Sequence, residues 1–106
     1  MNKTLRLENI LNMLKTEPND LFLNYSLGIE YIAINKYSEA IIQFNKSLTI
    51  NPNYFTAYYQ LGKVYEILND FNMAITQYQQ GLKIATLQKN NKAINEFNEA
   101  IFLIED

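Results

Sequence analysis

The chain has 106 residues, enough for one domain with a core, and 48% of them are apolar. Nine Lys and Arg stand against eleven Asp and Glu, and the net charge of −2 comes without any basic run, which argues against nucleic acid or anionic lipid as partners. Neither His nor Cys is present, so disulfides, thiol chemistry, the usual zinc sites and imidazole catalysis are excluded.

The spacing of apolar residues predicts six helices. The first runs from about Leu5 to Lys15, with Leu7, Ile10, Leu11 and Leu14 on one face. Pro18 then breaks the pattern, and Asn19 or Asp20 is placed to cap the second helix. The second and third helices span about Leu21 to Ile34 and about Ser38 to Ile50, parted by Asn35-Lys36. Pro52 ends that pair, and Asn53 is the candidate cap for a fourth helix, about Phe55 to Leu68. After Asn69-Asp70 a fifth runs from about Asn72 to Leu87, and after Asn90-Asn91 a sixth from about Lys92 to Ile104. The sixth carries Ile94, Phe97, Ile101 and Ile104 as its stripe. Connections this short make neighbouring helices antiparallel. No strand-like alternation occurs, and no apolar stretch is long enough to span a bilayer. The N-terminus has no secretory pattern, so a cytoplasmic location without membrane insertion is expected.

The helices repeat. A shift of 34 residues lays Tyr25 on Tyr59, Leu27 on Leu61, Gly28 on Gly62, Tyr31 on Tyr65, Ala40 on Ala74 and Phe44 on Tyr78. Matching glycines, small residues and aromatics at one lag indicate one unit built twice, a unit too small to bury its apolar face alone.

The first copy reads Asn24-x-x-Leu27-Gly28-x-x-Tyr31, then Ala40-x-x-x-Phe44, then Pro52; the second reads Tyr58-x-x-Leu61-Gly62-x-x-Tyr65, then Ala74-x-x-x-Tyr78. In order and spacing this resembles the tetratricopeptide repeat (TPR). The resemblance implies an all-α, right-handed stack of antiparallel helical hairpins, a small α-solenoid. It implies a single domain in which 1–20 is a half-repeat helix, 21–54 and 55–88 are the repeats, and 89–106 is a capping helix. Departures are Asn24 and Tyr58 at the tryptophan position, Ser47 and Gly81 at a family alanine, and Thr86 at the second closing proline, which lets the fifth helix run on. On this reading Gly28 and Gly62 lie where paired helices cross, with Ala40 and Ala74 serving the same approach and Tyr31, Tyr65, Phe44 and Tyr78 filling the core. Gly62→Leu should then overpack the crossing, and Gly81→Ala should be tolerated.

In the family the first helix of each hairpin lines a concave groove. That maps Phe22, Tyr25, Ile29 and Ile32 to the groove in the first copy, and Thr56, Tyr59, Lys63 and Glu66 in the second. Helical spacing also puts Phe22, Tyr25, Ile29 and Ile32 on one stripe and Leu23, Leu27, Tyr31 and Ile34 on another. A helix apolar on two sides has more than one neighbour: one stripe is core, the other meets a ligand, a flanking helix or another chain. Some members clamp acidic C-termini with Lys, Asn and Arg, but here the clamp positions hold Tyr25, Ile29 and Gln60.

Carboxylates are the remaining chemistry. Glu96 and Glu99 are three apart, and a solvated helix face accounts for them. The expected function is therefore that of a protein-interaction adaptor, not an enzyme, holding a peptide or helix of a protein in a partly aromatic groove. No catalytic residue, metal or cofactor is expected. The alternative is a self-assembling homo-oligomeric unit.

Overall fold

The computed structural model describes residues 3–105. Six helices occur in chain order: α1 (Lys3–Thr16), α2 (Leu21–Ala33), α3 (Tyr37–Ile50), α4 (Phe55–Ile67), α5 (Phe71–Leu87) and α6 (Asn91–Glu105). No strand occurs among the described residues. The chain divides into two compact units, residues 1–52 and 53–106. In the first, α2 packs on α1 and α3; in the second, α5 packs on α4 and α6.

The helix ends are set by local chemistry. Asp20 caps α2, its Oδ1 accepting from the Leu23 N–H at 2.8 Å. Asp70 caps α5 through the Met73 N–H, and the Asn90 side chain accepts from the Ala93 N–H at the start of α6. Asn53 does not take the cap position before α4. Tyr54 stands there and makes no side-chain cap bond, while the Asn53 carbonyl accepts from the Phe55 N–H and from Gln88 Nε2.

Three turns share one geometry. Asn35, Asn69 and Lys89 have φ near 60°, and each turn closes with a pair of reverse bonds. Lys36 N–H donates to the Tyr31 carbonyl, Asp70 N–H to Tyr65 and Asn90 N–H to Ala85. Asn35, Asn69 and Lys89 donate to Ile32, Glu66 and Thr86. These are Schellman turns, and asparagine suits two of them because its short side chain tolerates the left-handed conformation. Thus α5 is at once the second helix of one hairpin and the first helix of the next. It continues because residue 86 is Thr: the backbone N–H that Pro52 lacks in the first copy is present here, and Thr86 Oγ1 donates back to the Leu82 carbonyl.

Each hairpin is closed by a ring pressed against a glycine. A Cβ built on Gly28 would fall 2.6 Å from Phe44 Cε1; on Gly62 and Gly81 it would lie closer still to the rings of Tyr78 and Phe97. The ring, rather than the alanine, therefore faces the glycine. Ala40 and Ala74 are completely buried nearby in sequence on the same second helices. Phe44 and Tyr78 have no exposed surface and Phe97 has 1%, so none of the rings has room to swing aside.

Gly81 corrects the reading that an alanine belongs there. Its α-carbon is covered by Phe97 on one side and approached by Tyr58 Cβ, at 3.0 Å from a built Cβ, on another. Tyr31 and Tyr65 also differ from expectation: both are half-buried, and Tyr78 alone of the three repeat tyrosines is fully inside. At the tryptophan position Asn24 is wholly buried and its amide donates to the carbonyls of Pro18 (3.0 Å) and Asp20 (2.8 Å), fastening the turn before α2.

These contacts fix the response to added methyl groups. Helix propensity favours Gly81→Ala by roughly 0.8–1 kcal/mol, while overpacking costs about 1–3 kcal/mol. With the ring immobile the second term wins, and Gly81→Ala is expected to lower the melting temperature, with Gly62→Leu lowering it further. Thermal melts followed by circular dichroism check both; a stabilised Gly81→Ala would mean that Phe97 does not lie on this glycine.

Candidate functional site

The two apolar stripes of α2 differ most over its first two turns, since Tyr31 and Ile34 of the inner stripe are only half-buried. Leu23 and Leu27 are buried with Gly28 and Asn24. The stripe of Phe22, Tyr25, Ile29 and Ile32 is open to different degrees: Phe22 is 71% exposed, and the other three are half-buried. Tyr25 reaches inward, its ring tilted against Phe44 at a centroid distance of 5.6 Å. Arg6 of α1 pairs with Glu30 at 3.0 Å on the neighbouring surface, an exposed contact of little energetic weight.

The equivalent residues of α4 are placed differently. Tyr59 packs on Tyr78 (5.7 Å) and edge-on to Phe97 (5.6 Å), so half of its ring serves the interior. Lys63 is exposed and carries its Nζ 5.3 Å from the Tyr59 ring centroid, a cation–π contact. Glu66 is half-buried and accepts a short hydrogen bond from the Tyr78 hydroxyl. It is tied to its own hairpin, not presented to a ligand. Thr56 is half-buried.

Of the remaining repeat positions, Leu61 is buried on α4 and Pro52 is exposed in the turn between α3 and α4.

Beside Tyr59 opens a pocket of about 230 Å³ lined by Phe55, Thr56, Tyr59 and Gln60 of α4 with Ala93, Glu96 and Phe97 of α6. Its floor is aromatic, because Phe97 stands edge-on to both Tyr59 and Phe55, the latter at 6.2 Å. The 34-residue period does not reveal α6 as a wall of a site, since α6 carries no Leu-Gly-x-x-Tyr pattern. A shorter lag does. Ala40, Phe44 and Ser47 come 12, 16 and 19 residues after Gly28; Ala74, Tyr78 and Gly81 come at the same intervals after Gly62, as Ala93, Phe97 and Ala100 do after Gly81. The third set overlaps the second, so it recurs after 19 residues and not 34. Ala93, Phe97 and Ala100 are all buried, with Ile94, Ile101 and Ile104 flanking them.

No group of three or more acidic side chains gathers as a candidate metal site among the described residues. Nor is any helix among them long and apolar enough to cross a membrane. What the surface offers is shape, aromatic area and a few polar groups.

Burial and the Glu66 carboxylate push the Tyr78 phenol well above the ordinary tyrosine range, first because its anion would be desolvated and then because it already donates to a negative group.

Comparison with known proteins bears on this arrangement. A family model described as "TPR repeat" matches residues 23–66, and one described as "Tetratricopeptide repeat" matches residues 55–86. No curated protein matches the sequence. Among solved structures, a tetratricopeptide repeat domain protein from Salinibacter ruber is 33% identical over 83% of this chain and 89% of its own, with a TM-score of 0.78. The TPR2B-domain–pHsp70 complex of yeast Sti1 superposes with a TM-score of 0.85 at 16% identity, over 93% of this chain and 79% of that one. The first TPR of Spaghetti (RPAP3), bound to the HSP90 peptide SRMEEVD, gives 0.74 at 19% identity, over 94% and 78%. These last two show likeness of fold alone.

The raised Tyr78 pKa carries a sign. Above pH ~10, the ordinary tyrosine value, the unfolded chain releases this proton while the folded chain retains it, so stability falls with rising pH. Tyr78→Phe is expected to lose about 1.5–3 kcal/mol at neutral pH with the charged hydrogen bond and to flatten the alkaline decline. Urea unfolding between pH 8 and pH 11 checks both; an unchanged alkaline slope would mean that Tyr78 titrates freely in the folded state.

Proposed function

The chain belongs to the tetratricopeptide-repeat family, and on that footing we propose that it holds a peptide or helix of a partner protein on its open helix stripes, that of α2 in the first unit and that of α4 in the second. Tetratricopeptide repeats are non-catalytic protein-interaction modules. Phe22 carries the reading: a phenylalanine 71% exposed, in line with Tyr25, Ile29 and Ile32, on a helix whose other stripe already supplies the core. Large apolar side chains in line on a surface mark an interaction site, and aromatic ones dominate binding energy when covered. The Sti1 domain is seen in a pHsp70 complex and the Spaghetti domain with an HSP90 peptide. At the positions that clamp acidic tails this chain has Tyr25, Ile29 and Gln60 instead of Lys, Asn and Arg, so the proposed partner segment is mainly apolar or aromatic and the clamp activity is not assigned. Lys63 on Tyr59 borders the α4 stripe.

A second reading, assembly with copies of itself, is favoured by one observation. Leu87 at the end of α5 and Phe102 and Leu103 on α6 are 76%, 64% and 66% exposed.

Tyr25 and Tyr59 are poor probes of the surface, because their rings rest on Phe44, Tyr78 and Phe97 and truncation would loosen the hairpins. Phe22→Asp is the better one, exposed enough to leave the fold unchanged. Crosslinking and mass spectrometry from the native cell should show the partner set of the parent depleted at least about tenfold with Phe22→Asp, the scale of a binding hot spot. An unchanged set would remove the α2 stripe from the interaction surface. If only copies of the chain itself are captured, the self-assembly reading replaces the adaptor.

A further inference from the structure

We propose that the pocket between α4 and α6 receives one arginine side chain of the bound peptide, with Glu96 as its counter-ion and the half-buried rings of Tyr59 and Phe55, backed by Phe97, as its stacking surface. This rests on the interaction-module reading and names the chemistry of one subsite within it. Size comes first. At about 230 Å³ the pocket falls below the ~300–1,000 Å³ of small-molecule sites and suits a single long side chain.

The polar lining then selects the occupant. The side chains of Thr56, Gln60 and Glu96 make no hydrogen bond or ion pair among the described residues, so three acceptor-bearing groups converge on the pocket with capacity to spare. Glu96 is the sole charge among the lining residues. Lys92, one turn earlier on α6, does not pair with it. An acidic side chain would be repelled by Glu96, and an aliphatic one would cover these polar groups without bonding them. A quaternary ammonium needs rings around it. Here the rings pack on one another, at 5.6 and 6.2 Å, and make a floor rather than an enclosure. A guanidinium meets both demands: its plane stacks on an aromatic floor while its N–H fork donates to a carboxylate. Lys63 shows that the Tyr59 ring already attracts a cation, from a position outside the lining. The charge preference is the reverse of a clamp for acidic tails.

The test is selection of a phage-displayed library of random linear peptides on the full chain and, in parallel, on Glu96→Gln, an exposed position whose loss leaves the fold intact. Peptides selected on the parent should share one arginine, and the preference should vanish on Glu96→Gln. A synthetic selected peptide should bind the parent about two- to fivefold more tightly than Glu96→Gln, the scale of a partly exposed ion pair, and should lose more when its arginine becomes norleucine, which also removes the cation from the rings. Its addition should shift the amide resonances of residues 55–60 and 93–97. Peptides selected without an arginine preference, or bound equally by the two proteins, overturn the arginine subsite and leave the interaction-module reading standing. If no peptide is selected at all, both fall.

Discussion

The contact between a glycine and a buried ring of the next helix sets how closely each pair of helices can lie. Glycine allows it because there is no Cβ to meet the ring, and the ring fills the space that two backbones in close approach would otherwise leave. Once Phe44 lies on Gly28 and Tyr78 on Gly62, a small residue is required beside each ring, and Ala40 and Ala74 supply it without any exposed surface. Tyr25 and Tyr59 then rest on those rings from the first helix. The partly open surface of each unit is thus the outer side of its core.

In the second unit the same contact occurs twice in succession, and the pocket results from it. Gly81 seats Phe97, Phe97 turns its edges to Tyr59 and Phe55, and the face left between α4 and α6 is bordered by Glu96, Gln60 and Thr56. The absence of a proline at residue 86 lets α5 stay helical for 17 residues and end in a third Schellman turn. A proline two residues beyond Ile50 accompanies the earlier end of α3 in the first unit. One side chain therefore separates a helix that closes a hairpin from one that closes a hairpin and opens another.

Much of this was legible in the sequence. The six helices, their breaks and the family resemblance rest on order and spacing, which the residues carry openly: Gly28 and Gly62, Ala40 and Ala74, Phe44 and Tyr78. Contact direction was harder to read. Spacing puts Gly62 near a helix crossing but does not say whether Ala74 or Tyr78 faces it, and only the packed geometry assigns the ring. Gly81 looks like a substitute for alanine in one repeat, yet it is the seat of Phe97 in an overlapping hairpin. Glu96 reads as one more charge on a solvated face. Its position beside Tyr59 depends on α6 meeting α4 as well as α5, a tertiary fact that no periodicity within α6 encodes. Glu66 reads as groove-facing, but a partner on another helix, the Tyr78 hydroxyl, holds it in the hairpin.

The central claim, that a ring covers a glycine in each of the three hairpins, is tested most directly by proton NMR on the labelled chain. The α-protons of Gly28, Gly62 and Gly81 should be displaced by ring currents and should show strong nuclear Overhauser contacts to the ring protons of Phe44, Tyr78 and Phe97 respectively. Glycine α-protons at ordinary helical shifts, with no contact to those rings, would contradict the account.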